Sequence, residues 1–325
     1  MLSKDLINVL KKQHYGLAGK HSGVQVCRWN KKSLVDEGAC YKQKFYGIES
    51  HRCCQMSPTV GFCQNRCLHC WRAIELTIDD KMDKDKVDDP ETIIKECITA
   101  QQKLITGFNG NKKVNKKKFQ EAQTPMHFAI SLTGEPTLYP KLPELVTNLR
   151  QQGKTTFIVT NGLNPEMITK LIEKDSLPTQ LYISMNSPDE TSFIKWHRST
   201  TKDAWRAFNQ TLNIFKNIKT RKVVRMTLVK GENNNMLDKY IEKYVDLIKK
   251  ANPDFIEVKG FMSVGFSRDR KGMGYETMPT HPEIKEFAKK LAKKLDYKQL
   301  DEHVFSRVIL LGKDKNSMKI QKTEI

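Results

Sequence analysis

Five short runs of β-branched and aromatic residues alternate with stretches of helical periodicity in the middle of the chain, and this alternation constrains the fold more than any other feature. The runs are MHFAISL, TFIVTN, LYISMN, VVRMTLV and FIEVKG, which begin at residues 126, 156, 181, 223 and 255. Runs that are apolar almost throughout are typical of parallel strands buried on both faces. Strands that alternate with helices predict an α/β fold whose parallel sheet is open or curls into a full or partial barrel.

The flanking segments extend this pattern. PTVGF (58–62) is predicted to be the first barrel strand and to end directly before Cys63, and residues 89–107 are predicted to form the first long helix. The polar segment 107–125 is expected to be an exposed loop. An amphipathic helix and one last strand, HVFSRVILLG (303–312), are predicted near the end of the chain.

The charge of the chain is strongly positive, with 56 Lys and Arg against 37 Asp and Glu, for a net charge of +19. Such a surplus favours a polyanionic partner, most simply a nucleic acid. The basic runs are scattered, however, and a generally charged surface is the alternative interpretation.

The chain is also expected to be cytoplasmic and not to contact a membrane. No apolar run approaches the roughly 18 residues that span a bilayer, and the charged amino terminus does not resemble a secretion signal. In the cytosol, clustered cysteines are more often metal ligands than disulfide partners.

Three cysteines lie close together in CQNRCLHC (63–70), with the spacing C-x3-C-x2-C. Because they follow a predicted strand, all three are expected on one loop, where they can bind three irons of a [4Fe–4S] cluster and leave the fourth iron open to a ligand. A zinc site that also uses His69 is the alternative, although an imidazole beside Cys70 would crowd a tetrahedral site.

CQNRCLHC resembles the signature of the radical S-adenosylmethionine (SAM) superfamily. Later segments fit the same resemblance, because TGEP (133–136) follows the next predicted strand, and TNG (160–162) and ISMNSP (183–188) lie at the ends of the two after it. Sheets of this type bind ligands at the carboxyl ends of their strands. The resemblance implies that SAM binds the open iron and is contacted by Gly134, Glu135, Thr160, Asn161, Ser184 and Asn186.

A second set of cysteines lies upstream, where Cys27, Cys40 and Cys53 are separated by two equal intervals of 13 positions. Three thiolates with an open iron again suit a [4Fe–4S] cluster. Two cysteines remain: Cys97 falls on the apolar stripe of the first long helix and is predicted to be a core thiol, and Cys54 interrupts the even spacing and is predicted to be a bystander.

The upstream cysteines, together with CWR (70–72), FMSVGFSR (261–268) and MPTH (278–281), resemble the tRNA 4-demethylwyosine synthases in their short, archaeal-type form. The resemblance extends over nearly the whole chain and implies a partial (βα)6-type radical SAM barrel. Residues 1–56 would carry the ligands of the auxiliary cluster, residues 57–262 would form the barrel, and residues 263–325 would form an extension that faces the tRNA substrate.

The resemblance also implies the reaction. A radical generated from SAM takes a hydrogen from the N1-methyl group of N1-methylguanosine-37 in tRNA-Phe, the carbon radical adds to C2 of pyruvate, C1 is lost, and the third ring closes. By this resemblance, the chain would be a carbon–carbon lyase of wybutosine biosynthesis. The second cluster would hold pyruvate, and Lys42 matches a lysine for which a pyruvate Schiff base has been proposed, with Lys44 as its competitor.

The basic residues then have a specific partner. Five residues that are predicted to lie near the barrel mouth are candidates for contact with the tRNA: His197, Arg198, Arg268, Arg270 and Lys271. An anticodon-loop base would have to flip into the mouth. A monomer with an external one-electron donor is expected, and the sequence does not identify that donor.

Two other functions are compatible with the residues. One is a radical SAM enzyme for another RNA or peptide substrate, although no cysteine after Cys97 is present to bind a later auxiliary cluster. The other is a zinc-stabilised RNA-binding protein without enzymatic activity.

Overall fold

The structure is a computed structural model that describes residues 2–325. Ten strands within these residues form one sheet, in the order β1-β2-β3-β4-β5-β6-β7-β8-β10-β9. The strands are β1 (Tyr15–Ala18), β2 (Ser22–Gln25), β3 (Cys53–Ser57), β4 (His127–Ile130), β5 (Thr155–Thr160), β6 (Gln180–Ser184), β7 (Arg221–Leu228), β8 (Phe255–Gly260), β9 (Lys298–His303) and β10 (Val308–Gly312).

The strands from β3 to β8 are parallel and adjacent, and antiparallel strands extend the sheet on both sides. The sheet has β1 and β9 as its two edges, so it is an open, partial barrel. The parallel strands predicted from residue 126 onwards are therefore confirmed. The hydrogen bonds that join β1 and β2 to β3 also place the amino-terminal segment in the same sheet as the barrel.

One helix precedes the first strand, and the others lie between the strands in sequence. They are α1 (Lys4–Lys12), α2 (Arg28–Leu34), α3 (Tyr41–Tyr46), α4 (Pro90–Ile105), α5 (Lys116–Ala122), α6 (Leu142–Gln151), α7 (Pro165–Glu173), α8 (Glu190–His197), α9 (Ala204–Phe215), α10 (Ile241–Ala251) and α11 (His281–Leu295). The largest hydrophobic core lies between one face of the sheet and the helices α4, α6, α7, α9, α10 and α11. Within residues 2–325 no helix is both long enough and apolar enough to cross a membrane.

The opposite face of the sheet, here called the inner face, has a smaller apolar cluster. Helix α3 packs Tyr41, Phe45 and Tyr46 against side chains from the central strands, among them Phe157, Tyr182 and Phe255. This packing fixes the short helix that carries Lys42 against the inner face.

The prediction that PTVGF (58–62) forms the first barrel strand is wrong. The first parallel strand is β3 (Cys53–Ser57), which pairs with β4, and residues 58–62 turn away from the sheet. Pro58 has no N–H to donate to a neighbouring strand, and Gly61 has a φ of +82° that suits a turn. The strand therefore lies in the cysteine-containing segment itself.

Two other expectations are corrected. The segment 107–125 contains the helix α5, which buries Ala122, instead of being a loop throughout. The predicted last strand is a hairpin of β9 and β10, in which residues 304–306 form the turn and Arg307 adopts the left-handed conformation with a φ of +48°. Val304 and Phe305 in the turn are apolar and come shortly before the apolar strand β10, so the sequence pattern alone did not reveal the turn.

Candidate active site

The loop after β3 brings Cys63, Cys67 and Cys70 to one cavity of about 200 Å³, which Thr133 and Gly134 also line. All three are free, partly buried thiols. Burial raises the pKa of each thiol, that of Cys63 to about 12. Such thiols ionise only beside positive charge, and a coordinating metal provides it. The donor set therefore fits a metal cluster held by three cysteines.

Arg270 holds this loop in place. Its guanidinium donates to the backbone carbonyls of Leu68, Cys70 and Arg72 and forms an ion pair with Glu75 at 2.9 Å. Because its Nε, Nη1 and Nη2 atoms all donate within the protein, the predicted contact of Arg270 with RNA would require these bonds to break.

His197 lies behind the same loop. It is 4% exposed, and its Nδ1 is 3.2 Å from the sulfur of Cys67. Its backbone carbonyl accepts a hydrogen bond of 2.8 Å from the amide of Arg66. A contact between the His197 side chain and an RNA backbone would therefore require this part of the molecule to open. By contrast, Arg198, Arg268 and Lys271 are exposed.

The turn at Gly134 lies against the cysteine loop. Gly134 has a φ of +70°, and a Cβ there would be only 1.9 Å from the carbonyl oxygen of Thr59. The amide of Glu135 donates to the carbonyl of Phe62 at 2.8 Å, directly before Cys63. Only glycine fits this position, because any side chain would push the turn away from the loop.

The side chain of Glu135 ties the turn to the end of β5. Its carboxylate accepts hydrogen bonds from the Thr160 hydroxyl at 2.6 Å and the Asn161 amide at 2.7 Å, as well as from Thr137. Burial raises the pKa of this carboxyl, although these hydrogen bonds act in the opposite direction. Glu135 and Thr160 thus hold the Gly134 turn against the end of β5.

The remaining predicted SAM contacts surround the loop. Asn161 donates to the Gln64 side chain at 3.2 Å, and the Asn186 amide lies 3.3 Å from Nε2 of His69. Asn186 is 3% exposed and also accepts a hydrogen bond from the amide of Thr227. Ser184 is partly buried at the end of β6. The structure therefore brings all six predicted contacts to the same end of the sheet as the cysteine loop.

A second cavity, of about 180 Å³, is lined by Cys27, Cys40 and Cys53. Cys27 and Cys40 are the N-cap residues of α2 and α3, and Cys53 begins β3. Burial raises the pKa of each thiol, to about 11 for Cys40 and about 12 for Cys53. This donor set therefore has the same chemical character as the first.

Lys42 lines the second cavity and is 7% exposed. Its Nζ lies 4.6 Å from the ring centroid of Phe157 and 5.2 Å from that of Tyr182. Burial, and then the positive charge of Arg225, lower the pKa of this amine, which favours the neutral, nucleophilic form. Lys44 differs, because it is exposed and its amine is 2.8 Å from a carboxylate oxygen of Asp301.

Two cysteines lie outside both cavities. Cys54 and Cys97 are completely buried in the core under the helical layer. Side chains alternate across a strand, so Cys54 points to the opposite face from Cys53 and Gln55.

Two arginines that the sequence analysis did not select lie at these cavities. Arg225 lines the second cavity. Arg72 lines the first and is 6% exposed, and in the described part of the chain its Nε and Nη2 atoms have no hydrogen-bond partner. Only its Nη1 donates, to the side chain of Gln25 at 3.4 Å. A buried guanidinium with two unpartnered nitrogens beside three thiols fits a ligand with a carboxylate, as SAM has. The CWR motif was a sequence signal for Arg72, whereas Arg225 had none.

Comparisons with known proteins agree with this arrangement. Residues 57–244 match the radical SAM superfamily, and residues 250–313 match a family described as wyosine base formation. The chain is 46% identical over 314 residues to the S-adenosyl-L-methionine-dependent tRNA 4-demethylwyosine synthase of Pyrococcus abyssi, an alignment that covers 96% of this chain and 90% of that protein. The enzyme of the same name from Methanocaldococcus jannaschii is 40% identical over 315 residues and 96% of each chain.

Solved structures give the same picture. A structure of TYW1 with a lysine-pyruvate adduct bound has a TM-score of 0.85 and 37% identity, covering 99% of both chains. A crystal structure of archaeal TYW1 has a TM-score of 0.77 and 35% identity, also over 99% of both chains.

Proposed function

The chain belongs to the tRNA 4-demethylwyosine synthases of the radical SAM superfamily, and we propose that it builds the three-ring base 4-demethylwyosine on tRNA. Its substrates are N1-methylguanosine-37 of tRNA-Phe and pyruvate, which supplies two carbons and loses C1. The observation that carries this proposal is that Ser131 lines both cysteine cavities, so the two sites adjoin. A reaction that joins a carbon of the tRNA base to pyruvate needs two such adjoining sites.

In the first cavity, Cys63, Cys67 and Cys70 would hold a [4Fe–4S] cluster, and SAM would bind in the same cavity. When bound, the cluster and SAM supply one-electron chemistry that removes a hydrogen atom from the substrate. The chain contributes a loop fixed by Arg270, a turn that only Gly134 allows, and the buried positive charge of Arg72 for a ligand carboxylate.

In the second cavity, Cys27, Cys40 and Cys53 hold a second [4Fe–4S] cluster. The support is chemical: three free, partly buried thiols line one cavity, as in the first site. Two such clusters correspond to about eight irons per chain.

Lys42 forms a Schiff base with pyruvate in this cavity. Its neutral amine adds to the C2 carbonyl, and the carbonyl oxygen leaves as water. The buried position and lowered pKa of Lys42 support this role, and a structurally similar TYW1 contains a lysine-pyruvate adduct.

The tRNA approaches the open side of the cavities. The exposed Arg198, Arg268 and Lys271 supply phosphate contacts. An aromatic row, defined as Trp29, His303 and Phe305, supplies stacking surfaces for unpaired bases. Trp29 lines the second cavity and lies 5.0 Å from the His303 ring, and Phe305 is 84% exposed.

The decisive experiment is incubation of the reconstituted protein with SAM, pyruvate, a reductant and tRNA containing N1-methylguanosine, followed by mass analysis of the nucleosides. A tricyclic nucleoside is the expected product. A protein that cleaves SAM and forms no tricyclic nucleoside would instead act on another RNA or peptide substrate.

The chain is further proposed to act as a cytoplasmic monomer with a separate one-electron donor. Light scattering of the reconstituted protein tests the monomer, with a molar mass near 37.6 kDa as the expected result.

A further inference from the structure

We propose that Arg225 binds the carboxylate of the 2-oxo acid that reacts with Lys42, and so selects a 2-oxo carboxylate over a neutral ketone. This inference rests on the proposed function. It assigns the carboxylate-binding residue of the pyruvate site to a side chain of β7.

Arg225 and Lys42 lie at the same place. Both line the second cavity, and both contact the same aromatic ring, since the Arg225 guanidinium carbon is 4.5 Å and the Lys42 Nζ is 5.2 Å from the ring centroid of Tyr182. In pyruvate the carboxylate carbon is bonded directly to C2. A guanidinium near the amine that attacks C2 is therefore in position to hold the carboxylate.

The orientation of Arg225 is fixed before any ligand binds. Its Nε donates to the Glu257 carboxylate at 2.8 Å, and its Nη2 donates to the Tyr41 hydroxyl at 2.8 Å. The same tyrosine donates to Glu257 at 3.2 Å, and Tyr46 does so at 2.8 Å. Arg225 and Glu257 are also direct partners in the register of β7 and β8.

Glu257 remains charged in this setting. It is fully buried, which acts to raise its pKa, but the positive charge of Arg225, the nearby amine of Lys42 and hydrogen bonds from Tyr46 and Arg225 together lower it. The carboxylate thus holds the guanidinium rigidly on one side.

The remaining edge of Arg225 faces the cavity. Its Nε and Nη2 donate to Glu257 and Tyr41, and within the described residues 2–325 its Nη1 has no hydrogen-bond partner. The side chain is 17% exposed. A planar guanidinium with free N–H groups is the donor that best matches a carboxylate. A buried carboxylate also requires such a counter-charge.

The experiment measures Schiff-base formation without tRNA or SAM. The reconstituted protein is incubated with increasing pyruvate, and sodium cyanoborohydride delivers a hydride to C2 of the imine, which converts it to a stable secondary amine. Mass analysis then locates and quantifies the adduct on Lys42. Methyl pyruvate, which has the ketone and lacks the anionic carboxylate, is the second probe.

Arg225→Gln should raise the half-saturating concentration of pyruvate by about 10- to 100-fold, the loss expected for a hydrogen bond to a charged group. The half-saturating concentration of methyl pyruvate should change by less than about threefold. Arg221→Gln is the matched control: Arg221 is a second arginine of β7, but its guanidinium donates to the carbonyls of Ser317 and Met318. It should leave the pyruvate dependence unchanged.

A double variant separates binding from structure. Arg225→Gln alone leaves Glu257 as an uncompensated buried charge, which by itself is destabilising. Arg225→Gln with Glu257→Gln removes that charge. If Arg225 binds the carboxylate, the double variant still requires more pyruvate; recovery of wild-type pyruvate dependence would overturn the proposal and assign Arg225 a purely structural role.

The outcomes distinguish this inference from the proposed function. Normal pyruvate trapping in both Arg225 variants overturns the carboxylate site and leaves the Lys42 Schiff base intact. Absence of any Lys42 adduct in the wild-type protein overturns the role of Lys42 and the carboxylate site with it. Absence of a tricyclic nucleoside despite selective pyruvate trapping overturns the proposed tRNA reaction and supports the carboxylate site.

Discussion

The two cysteine triads have similar chemistry but are built differently. Cys63, Cys67 and Cys70 share one loop, whereas Cys27, Cys40 and Cys53 come from the starts of two helices and a strand. The first triad is a local motif that the spacing of its residues already defines. The second exists only because helices α2 and α3 and strand β3 meet at one cavity.

Each triad also has an arginine in its cavity, and the two arginines differ. Arg72 has two unpartnered nitrogens in the described chain, whereas Arg225 is held by Glu257 and Tyr41. The difference indicates that the first cavity leaves its guanidinium to be oriented by a ligand, and that the second orients its guanidinium in advance. Four predictions test this contrast.

The largest effect is expected from removal of either triad. Replacement of Cys63, Cys67 and Cys70 by alanine should abolish both SAM cleavage and tricyclic product. Replacement of Cys27, Cys40 and Cys53 should abolish the product and leave SAM cleavage, because the first loop remains intact. Iron content should fall from about eight to about four per chain in either case. An iron content of about four in the wild-type protein would contradict the second cluster.

Lys42→Ala should reduce tricyclic product by at least about 1,000-fold, in the range expected for loss of a nucleophile. Lys44→Ala is the matched control, since Lys44 is exposed and paired with Asp301. Because burial and Arg225 lower the pKa of Lys42, cyanoborohydride trapping at this residue should persist at a lower pH than at exposed lysines. Equal loss of product in the Lys42 and Lys44 variants would contradict the assignment of Lys42 as the nucleophile.

Arg72→Gln should weaken SAM binding by about 10- to 100-fold, because a buried charge-assisted hydrogen bond is lost. Equilibrium binding of SAM to the reconstituted protein measures the effect. Arg225→Gln is the comparison, and it should leave SAM binding unchanged while it weakens pyruvate binding. If both variants weaken SAM binding equally, the two arginines do not serve separate cavities.

The smallest effect is expected at the aromatic row. Phe305→Ala should weaken tRNA binding by about 5- to 30-fold, which corresponds to about 1–2 kcal/mol, the lower part of the range for one base-stacking contact. Ile172→Ala, an exposed residue on α7, is the matched control. Filter binding at fixed salt concentration measures both variants, and equal affinities would show that Phe305 does not contact the tRNA.

Much of the barrel followed from local patterns. The strands β4 to β8 were predicted within a few residues, because apolar runs of this length are characteristic of buried parallel strands. The first strand was misplaced, because CCQMS has no β-branched residue and is recognisable as a strand only by its pairing with β2 and β4. The β9–β10 hairpin was missed for a related reason: its turn contains Val304 and Phe305 in place of polar turn residues.

Side-chain roles were harder to predict than strands. Arg270 and His197 were expected to face the tRNA, and the structure places both against the cysteine loop. The sequence shows that a residue is basic, but it does not show whether the side chain lies on the surface or in a buried hydrogen-bond network. Contacts from other elements, here the carbonyls of residues 68–72, determine which of the two it is.

The sequence by itself determined the α/β class, the loop triad and the family resemblance, since these depend on periodicity and on spacing within short segments. Only the tertiary structure brought Cys27, Cys40 and Cys53 to one cavity with Lys42 and Arg225. The physical reason is that periodicity reports on neighbours along one element, while a cavity on the inner face collects side chains from α2, α3, β3 and β7, whose proximity is decided by the packing of the whole sheet.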